Sequence, residues 1–286
     1  MIRLLSLGSG SRGNASLIEI GRSFYLIDAG LSFRRISQSL AQCGFDLDRL
    51  AGIIVTHEHD DHVKGLQTAL KKTDVPVYAT PGTIDALIDD NLDNRRFVPV
   101  RSGEELDLGK IRVWPFPVPH DAAEPIGLRL EACGRTIGIA SDMGHVTPVI
   151  LEHLTDCDLL CLESNYDDDL LSVCRYPDWL KRRIRGPRGH LGNRGVRGIL
   201  SRLKRQLQHL MLFHISQESN TPELVRENVE EILRLPLLQE TRLIVASQDE
   251  PTPILDLLAE QGYARSAVWR QQRFTDLYAH GNLHDW

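Results

Sequence analysis

An apolar run, Ala51-Gly52-Ile53-Ile54-Val55-Thr56, leads straight into His57-Glu58-His59-Asp60-Asp61-His62, and no other stretch constrains the fold as tightly. A short, continuous apolar run suits a strand buried on both faces. In an extended segment residues two apart point the same way, so His57 and His59 can reach one ion together. Asp61 and His62 follow where the chain turns into the next helix, and they aim at a neighbouring point. Imidazoles with a carboxylate suit zinc, and also manganese or iron. The fold must therefore bury a strand whose end opens on a polar site.

Three more candidate ligands close apolar runs: His120 ends VWPFPVPH, Asp142 ends TIGIASD and His214 ends LMLFH. In layered α/β folds the carboxyl ends of strands are where ligands converge, so residues distant in sequence can meet there. The rest of the chain supports such layers. RLLSLGSG, SLIEIG and SFYLIDAG read as an N-terminal meander, and VPVYAT, IRVWPF, GLRLEAC, DLLCLE and RLIVAS as later strands. A helix is expected over 32–43, with Phe33, Ile36 and Leu40 on one face and Gly44 as its stop. Others are expected at 81–91, 148–154, 195–208, 222–235 and 253–261. Thr80-Pro81, Thr147-Pro148, Thr221-Pro222 and Thr252-Pro253 each supply a capping hydroxyl followed by proline at the first helical position. Strands and helices interleaved in this way require sheets covered by helices. No repeat or linker breaks the pattern, so one domain is expected over 1–286.

Five scattered cysteines (Cys43, Cys133, Cys157, Cys161, Cys174) make no disulfide framework, and a reducing, cytoplasmic setting is the natural reading. Cys157 and Cys161 lie in the apolar CDLLCLES and are expected as small buried hydrophobes. No apolar stretch reaches the roughly 18 residues of a membrane span, and the start MIRLLSLGSG lacks the core of a signal peptide. The net charge is −6, yet Lys181 to Arg205 holds ten Lys/Arg and no acid, which leaves −16 on the remainder (−6 − 10). A block of one sign inside an acidic chain marks a place where anions dock. Val196, Ile199, Leu200, Leu203 and Leu207 would share one helical face, letting Arg197, Arg202, Lys204 and Arg205 project toward a phosphate backbone.

The pattern H-x-H-x-D-H, then a distant His, an Asp and a His, resembles the metallo-β-lactamase superfamily from residue 1 to about 250. LIDAG, which contains Asp28, is also typical there. The resemblance implies an α/β fold, the αββα sandwich of two mixed sheets flanked by helices. It assigns His57, His59 and His120 to one metal and Asp61, His62 and His214 to the second, with Asp142 between them. Two such ions, zinc first and manganese as the alternative, can share a hydroxide, lower its pKa and clamp the attacked centre. Asp61 would also orient that hydroxide. Imidazole ligands donate their second N–H to a carboxylate or carbonyl, a role open to Asp28 alongside a structural one.

Further segments favour phosphodiesters. Leu162-Glu163-Ser164-Asn165-Tyr166 resembles the E-S-x-Y segment of the β-CASP nucleases, which include ribonuclease J. With Gly189-His190-Leu191-Gly192-Asn193, His214-Ile215-Ser216 and the Gly8–Asn14 turn, the set is similar to the YycJ/WalJ group of bacterial nucleases. This chain departs in carrying Gly192 for Ser, Ser219 for Asn and Ile215 for Leu. Only 26 residues separate Glu163 from His190 (164–189), so the large β-CASP insertion is absent. Glu163 bonded to His190 would keep the imidazole protonated as an acid for the leaving oxygen. Ser11, Asn14, His190, Asn193 and Ser216 are the expected substrate contacts. The Ser9–Asn14 turn can cradle phosphate on its backbone N–H groups or serve as a plain hairpin turn. His145, near Asp142 in sequence, could reach the rim of the site.

The reading is a two-metal phosphodiesterase on DNA or RNA, probing backbone rather than sequence, and an exonuclease. A thioester or lactone hydrolase would use the same metals but has little use for the basic segment or for Glu163 with His190. A silent nucleic-acid-binding scaffold would have little reason to keep the whole ligand set.

Overall fold

The computed structural model describes residues 1–89, 92 and 95–258. The first half of the chain forms β1 (Ile2–Gly8), β2 (Ala15–Ile20), β3 (Ser23–Ile27), β4 (Leu50–Ile54), β5 (Val77–Ala79) and β6 (Phe97–Pro99). The second forms β7 (Leu106–Asp107), β8 (Arg112–Pro117), β9 (Ile126–Ala132), β10 (Arg135–Ala140), β11 (Leu159–Glu163), β12 (His209–Phe213) and β13 (Arg242–Val245). A last strand, β14 (Leu255–Asp256), returns to the first sheet and pairs with β1. Among the described residues the two sheets run β14-β1-β2-β3-β4-β5-β6 and β13-β12-β11-β10-β9-β8-β7.

Alternation along the strands explains the layers. Leu159 and Cys161 of β11, with Met211 and Phe213 of β12, enter the core between the sheets. Their neighbours Leu160, Leu162, Leu210 and Leu212 turn outward and pack under helices. A strand buried on both faces reads as one unbroken apolar run, which is why these segments show no period of two. The helices are α1 (Phe33–Gln42), α2 (Asp60–Val63), α3 (Leu66–Lys72), α4 (Pro81–Asp89), α5 (Pro148–Leu154), α6 (Asp168–Val173), α7 (Asp178–Arg185), α8 (Asn193–Leu200) and α9 (Pro222–Glu230). Ile36, Leu40 and Leu66 cover the outer face of the first sheet, and Ile150, Val196, Ile199, Val225 and Val229 that of the second. The result is the expected αββα sandwich. No helix among the described residues is long and apolar enough to cross a membrane.

Three of the four Thr-Pro pairs open helices. Thr80 Oγ1 accepts from Thr83 N at 3.4 Å, Thr147 Oγ1 from Ile150 N at 3.2 Å and Thr221 Oγ1 from Leu224 N at 3.2 Å. The fourth does not. Thr252 Oγ1 accepts from Ser6 N at 3.0 Å and its own N–H donates to Ser6 O; of the helix expected at 253–261, residues 253–258 form no helix and contain β14, and 259–261 lie outside the described residues. An edge of the first sheet offered open backbone partners, and pairing there outweighed the local capping signal. The helix expected over 195–208 stops at Leu200, because Lys204 N turns to Thr155 O and Leu207 N to Leu237 O. Leu203 and Leu207 still bury in the same core, but from irregular chain. The expected 222–235 helix is α9 followed by a separate 3₁₀ turn, Ile232–Arg234. His280, His284, Trp269 and Trp286 fall outside the described residues.

Parallel pairing of β3 with β4, and of β10, β11 and β12, sets several carboxyl ends side by side. Asp28, His57, Asp142, Glu163 and His214 all follow or end these strands.

Candidate metal centre

The seven expected ligands come together. His57, His59 and His120 form one group whose ligand atoms lie within 4.8 Å of one another, and Asp61, His62 and His214 form another. Asp142 belongs to a third group with His57 and His62, so it joins the two. His59 Nδ1 stands 3.1 Å from His120 Nε2, and His214 Nε2 stands 3.2 Å from Asp61 Oδ2. Asp142 Oδ2 is 3.2 Å from His62 Nε2, while its Oδ1 is 3.8 Å from His120 Nε2. His57 Nε2 is buried without a hydrogen-bond partner. A bare imidazole nitrogen inside such a donor set is the arrangement that a metal ion completes, so the residues fit the expected ions.

The backbone is bent to make this possible. Asp28, Asp142 and His214 adopt positive φ values of 62°, 52° and 52°, three of the four non-glycine residues to do so among those described. Such conformations cost about 1–3 kcal/mol each and persist where the surroundings enforce them. Here each strand breaks sharply at its end. Gly30 lets the next layer close: a Cβ there would lie 1.7 Å from Asp61 O, so only glycine allows this approach. Ala29 N then donates to His62 O at 2.8 Å and Asn14 N to Asp61 O at 2.7 Å, fixing the turn that carries both ligands.

Outer partners orient His57, His62 and His120. His62 Nδ1 donates to Asp28 Oδ2 at 2.8 Å, and Asp28 Oδ1 accepts from Thr56 N at 2.8 Å. His57 Nδ1 pairs with Thr56 Oγ1 at 3.1 Å and His120 Nδ1 donates to Gly189 O at 3.0 Å. Such partners fix ring and tautomer and raise ligand basicity. Asp28→Asn is accordingly expected to weaken metal affinity about 10- to 100-fold, read by competition with a chelating dye. Unchanged affinity would leave Asp28 with a strand-end role alone.

Glu163, fully buried, accepts four hydrogen bonds. Oε1 takes His190 Nδ1 at 2.7 Å and His214 Nδ1 at 3.1 Å; Oε2 takes Met143 N and Leu191 N, both at 3.0 Å. Burial opposes its charge, but His190 and these bonds hold its pKa below the ordinary value. Burial likewise opposes the Asp142 carboxylate, and His214 and His62 overcome it to keep Asp142 well below the usual range. His57 is held well below its ordinary pKa by burial and by His62. His214 is the reverse: burial disfavours its cation, yet Asp142 and the bonds to Asp61 and Glu163 raise it to about 10. Buried carboxylates thus draw positive charge to this point, which a divalent cation also carries.

A cavity of about 570 Å³ opens above the ligands. Ser11, His190 and Ser216 line it with His59, Asp61, His120, Asp142 and His214. Two expected substrate contacts turn inward. Asn193 Oδ1 accepts from Ser164 Oγ at 2.7 Å and Asn220 Nδ2 at 2.8 Å, and Asn14 Oδ1 accepts from Ser9 Oγ and Gly10 N. Both side chains are buried; Asn193 braces the loops around the site, whereas Asn14 Nδ2 also stands 3.2 Å from His62 Nε2 and 3.4 Å from Asp61 Oδ2, among the candidate ligands. The Ser9–Asn14 turn joins β1 to β2 and spends five of its six N–H groups inside the protein: Ser9 on Ser247 O, Gly10 on Asn14, Arg12 on Gln248, Gly13 on Gly10 O and Asn14 on Asp61 O. The sixth belongs to Ser11, which lines the cavity. His145 is exposed and bonds Pro187 O at 2.9 Å, off the cavity.

The basic segment also sits differently from expectation. Arg197 pairs with Glu231, Arg205 with Asp158, and Arg202 turns back on Gly198 O; none of them, nor Lys204, lines the cavity. Acids far off in sequence, invisible to a local charge count, thus pair with Arg197 on α8 and with Arg205 beyond its end. The cation that does reach the site is Arg183, on α7, with Leu180, Ile184 and Tyr176 beside it. Arg183 Nε donates to Asp121 Oδ2 at 2.6 Å. Sequence reasoning did not single it out; its signal was a leucine and an isoleucine flanking it at helical spacing. The buried Cys157 and Cys161 stay out of the ligand groups, and burial pushes the Cys157 thiol up to about 12.

The model of the β-lactamase superfamily domain matches residues 24–215. The chain is 33% identical to exodeoxyribonuclease YycJ of Bacillus anthracis over 231 residues, 79% of this chain and 87% of that protein. It is 30% identical to exodeoxyribonuclease WalJ of Streptococcus pneumoniae, covering 76% of this chain and 83% of that one. The fold is similar to the metallo-β-lactamase fold protein YhfI from Bacillus subtilis, with a TM-score of 0.67 over 88% of this chain and 99% of that one, at 15% identity. With a domain match over two-thirds of its length and a relative one-third identical over about four-fifths of it, the chain belongs to the metallo-β-lactamase superfamily, as a relative of YycJ and WalJ.

Proposed function

We propose that this protein is a metal-dependent exonuclease that hydrolyses phosphodiester bonds in nucleic acid, with DNA as its first substrate. The observation that carries this is the 2.7 Å contact between Glu163 and His190 at the edge of the site, where the two form a further cluster with Asp142 and His214. Release of a sugar oxygen needs a proton, whereas the thiolate of a thioester departs without one; a lactone's alkoxide would need one too, and there the exodeoxyribonuclease relatives favour the diester. The names of YycJ and WalJ, both exodeoxyribonucleases, support DNA.

His57, His59 and His120 would hold one divalent ion and Asp61, His62 and His214 the other, with Asp142 shared. Zinc suits the imidazole-rich donors, and manganese is the alternative. When bound, the ions supply Lewis acidity at phosphorus and make water acidic near neutral pH. Asp61 would accept a hydrogen bond from the attacking water and hold it in line. Arg183 and the hydroxyls of Ser11 and Ser216 would hold the phosphoryl oxygens. His190, with Nδ1–H kept on Glu163, would pass its other proton to the leaving oxygen. The free cysteines support action in the reducing cytoplasm.

End-labelled single- and double-stranded DNA and RNA, tested beside a thioester and a lactone with zinc or manganese present, separate the readings. Shortening of DNA from one end is expected, with affinity that falls as salt rises. Turnover of the thioester or lactone without any diester cleavage would sink the proposal.

A further inference from the structure

Helix α7 divides two hollows. Leu180, Arg183 and Ile184 face the cavity over the ligands. Asp178, Lys181, Arg182 and Arg185 face a second hollow of about 350 Å³, shared with Ser172 of α6. Residues three and four apart share a helix face, so one short helix serves both sides. Trp179 stands between those faces, one turn before Arg182 and Arg183, and is 62% exposed. The second hollow carries three cations and one carboxylate. Lys181 and Arg185 reach back to Ser172, and Asp168 lies 4.0 Å from Arg185. Arg182 makes no ion pair among the described residues.

We propose that this ridge carries the single-stranded part of the substrate out of the catalytic cavity, with a base stacked on Trp179. Backbone phosphates would lie on Arg183 behind the indole and on Lys181 and Arg182 in front of it. The inference rests on the nuclease reading and names the path of its substrate. Two features of the surface select this occupant. Cations on both flanks of the ridge match a polyanion, and the run from cavity to hollow is continuous along one helix. A base offers a π-face to the indole whatever its sequence, which fits backbone-led binding. An acidic peptide would meet the same cations but leave the indole without a partner.

The test uses the full metal-loaded chain and two phosphorothioate oligomers that resist cleavage. One is an oligothymidine about twenty nucleotides long, and the other is an abasic strand of equal length and charge. Fluorescence anisotropy should show Trp179→Ala binding oligothymidine about tenfold more weakly than the parent, with Trp179→Phe largely restoring it. The abasic strand should bind parent and Trp179→Ala alike. Equal oligothymidine affinity in parent and Trp179→Ala would overturn the ridge, as would equal weakening on both strands. Poly-glutamate displacing oligothymidine at matched charge would also overturn it, in favour of an acidic protein partner. The parent's cleavage of bis(p-nitrophenyl) phosphate, measured alongside, keeps the two levels apart. Diester cleavage without the Trp179 effect sinks only the ridge, and a parent that cleaves no diester sinks the nuclease reading itself.

Discussion

An Asp142→Ala protein is expected to lose metal at both positions and about three orders of magnitude in diester turnover. The reason is geometric. Asp142 reaches toward His62 with one oxygen and toward His120 and His214 with the other, at 3.2, 3.8 and 3.5 Å. No neighbouring side chain can replace a carboxylate that is 2% exposed at the junction of both ligand groups. Elemental analysis of the purified variant and steady-state rates on DNA give the two readouts. Thermal unfolding gives a third: a ligand at a hundred times its Kd stabilises the folded chain by about 2.7 kcal/mol, and that metal-dependent gain should vanish in the variant. Full metal content at both positions with parent-like turnover would refute the assignment.

His190→Ala separates acid catalysis from metal binding. Nδ1 of His190 is committed to Glu163 and the ring lines the cavity; it also falls in a cluster with Asp142, Glu163 and His214 that could hold an ion, so metal content is read beside the rate. The variant is expected to keep its metal and lose about a hundredfold to ten-thousandfold on DNA. On the p-nitrophenyl ester of thymidine 5′-monophosphate, whose leaving group departs without a proton, most of that loss should disappear. An equal loss on both substrates would make His190 a phosphate contact instead of a proton donor. Metal content falling with the rate would make it a ligand.

What could be read from the sequence, and what could not, divides along one physical line. The site was legible because its ligands sit at chain positions where apolar runs stop, and a strand's end is a local signal. His57, Asp142 and His214 each follow such a run directly or by a few residues. Capping hydroxyls were legible for the same reason at Thr80, Thr147 and Thr221. Thr252 looked identical locally, but its fate depended on Ser6, 246 residues away. The charge of the basic segment was misjudged likewise, since Glu231 and Asp158 meet Arg197 and Arg205 only through folding. Asn193 carried a motif's promise of substrate contact, and the folded chain spends its carboxamide on Ser164 and Asn220. Pairings between distant segments decide such cases, and no window along the chain contains both partners.

Because His57, His59, Asp61 and His62 follow a strand of the first sheet, whereas His120, Asp142 and His214 follow strands of the second, synthesis delivers the ligands in two waves. His62 leaves the ribosome 152 residues ahead of His214 (214 − 62), a delay of about 8–30 s at ordinary elongation speeds. His57, His59 and His120 are all out 94 residues before His214 (214 − 120), whereas the group of Asp61, His62 and His214 is incomplete until the end of that interval. Full occupancy of both proposed positions would therefore wait for His214, and chains cut short before it are expected to hold less metal than the whole chain.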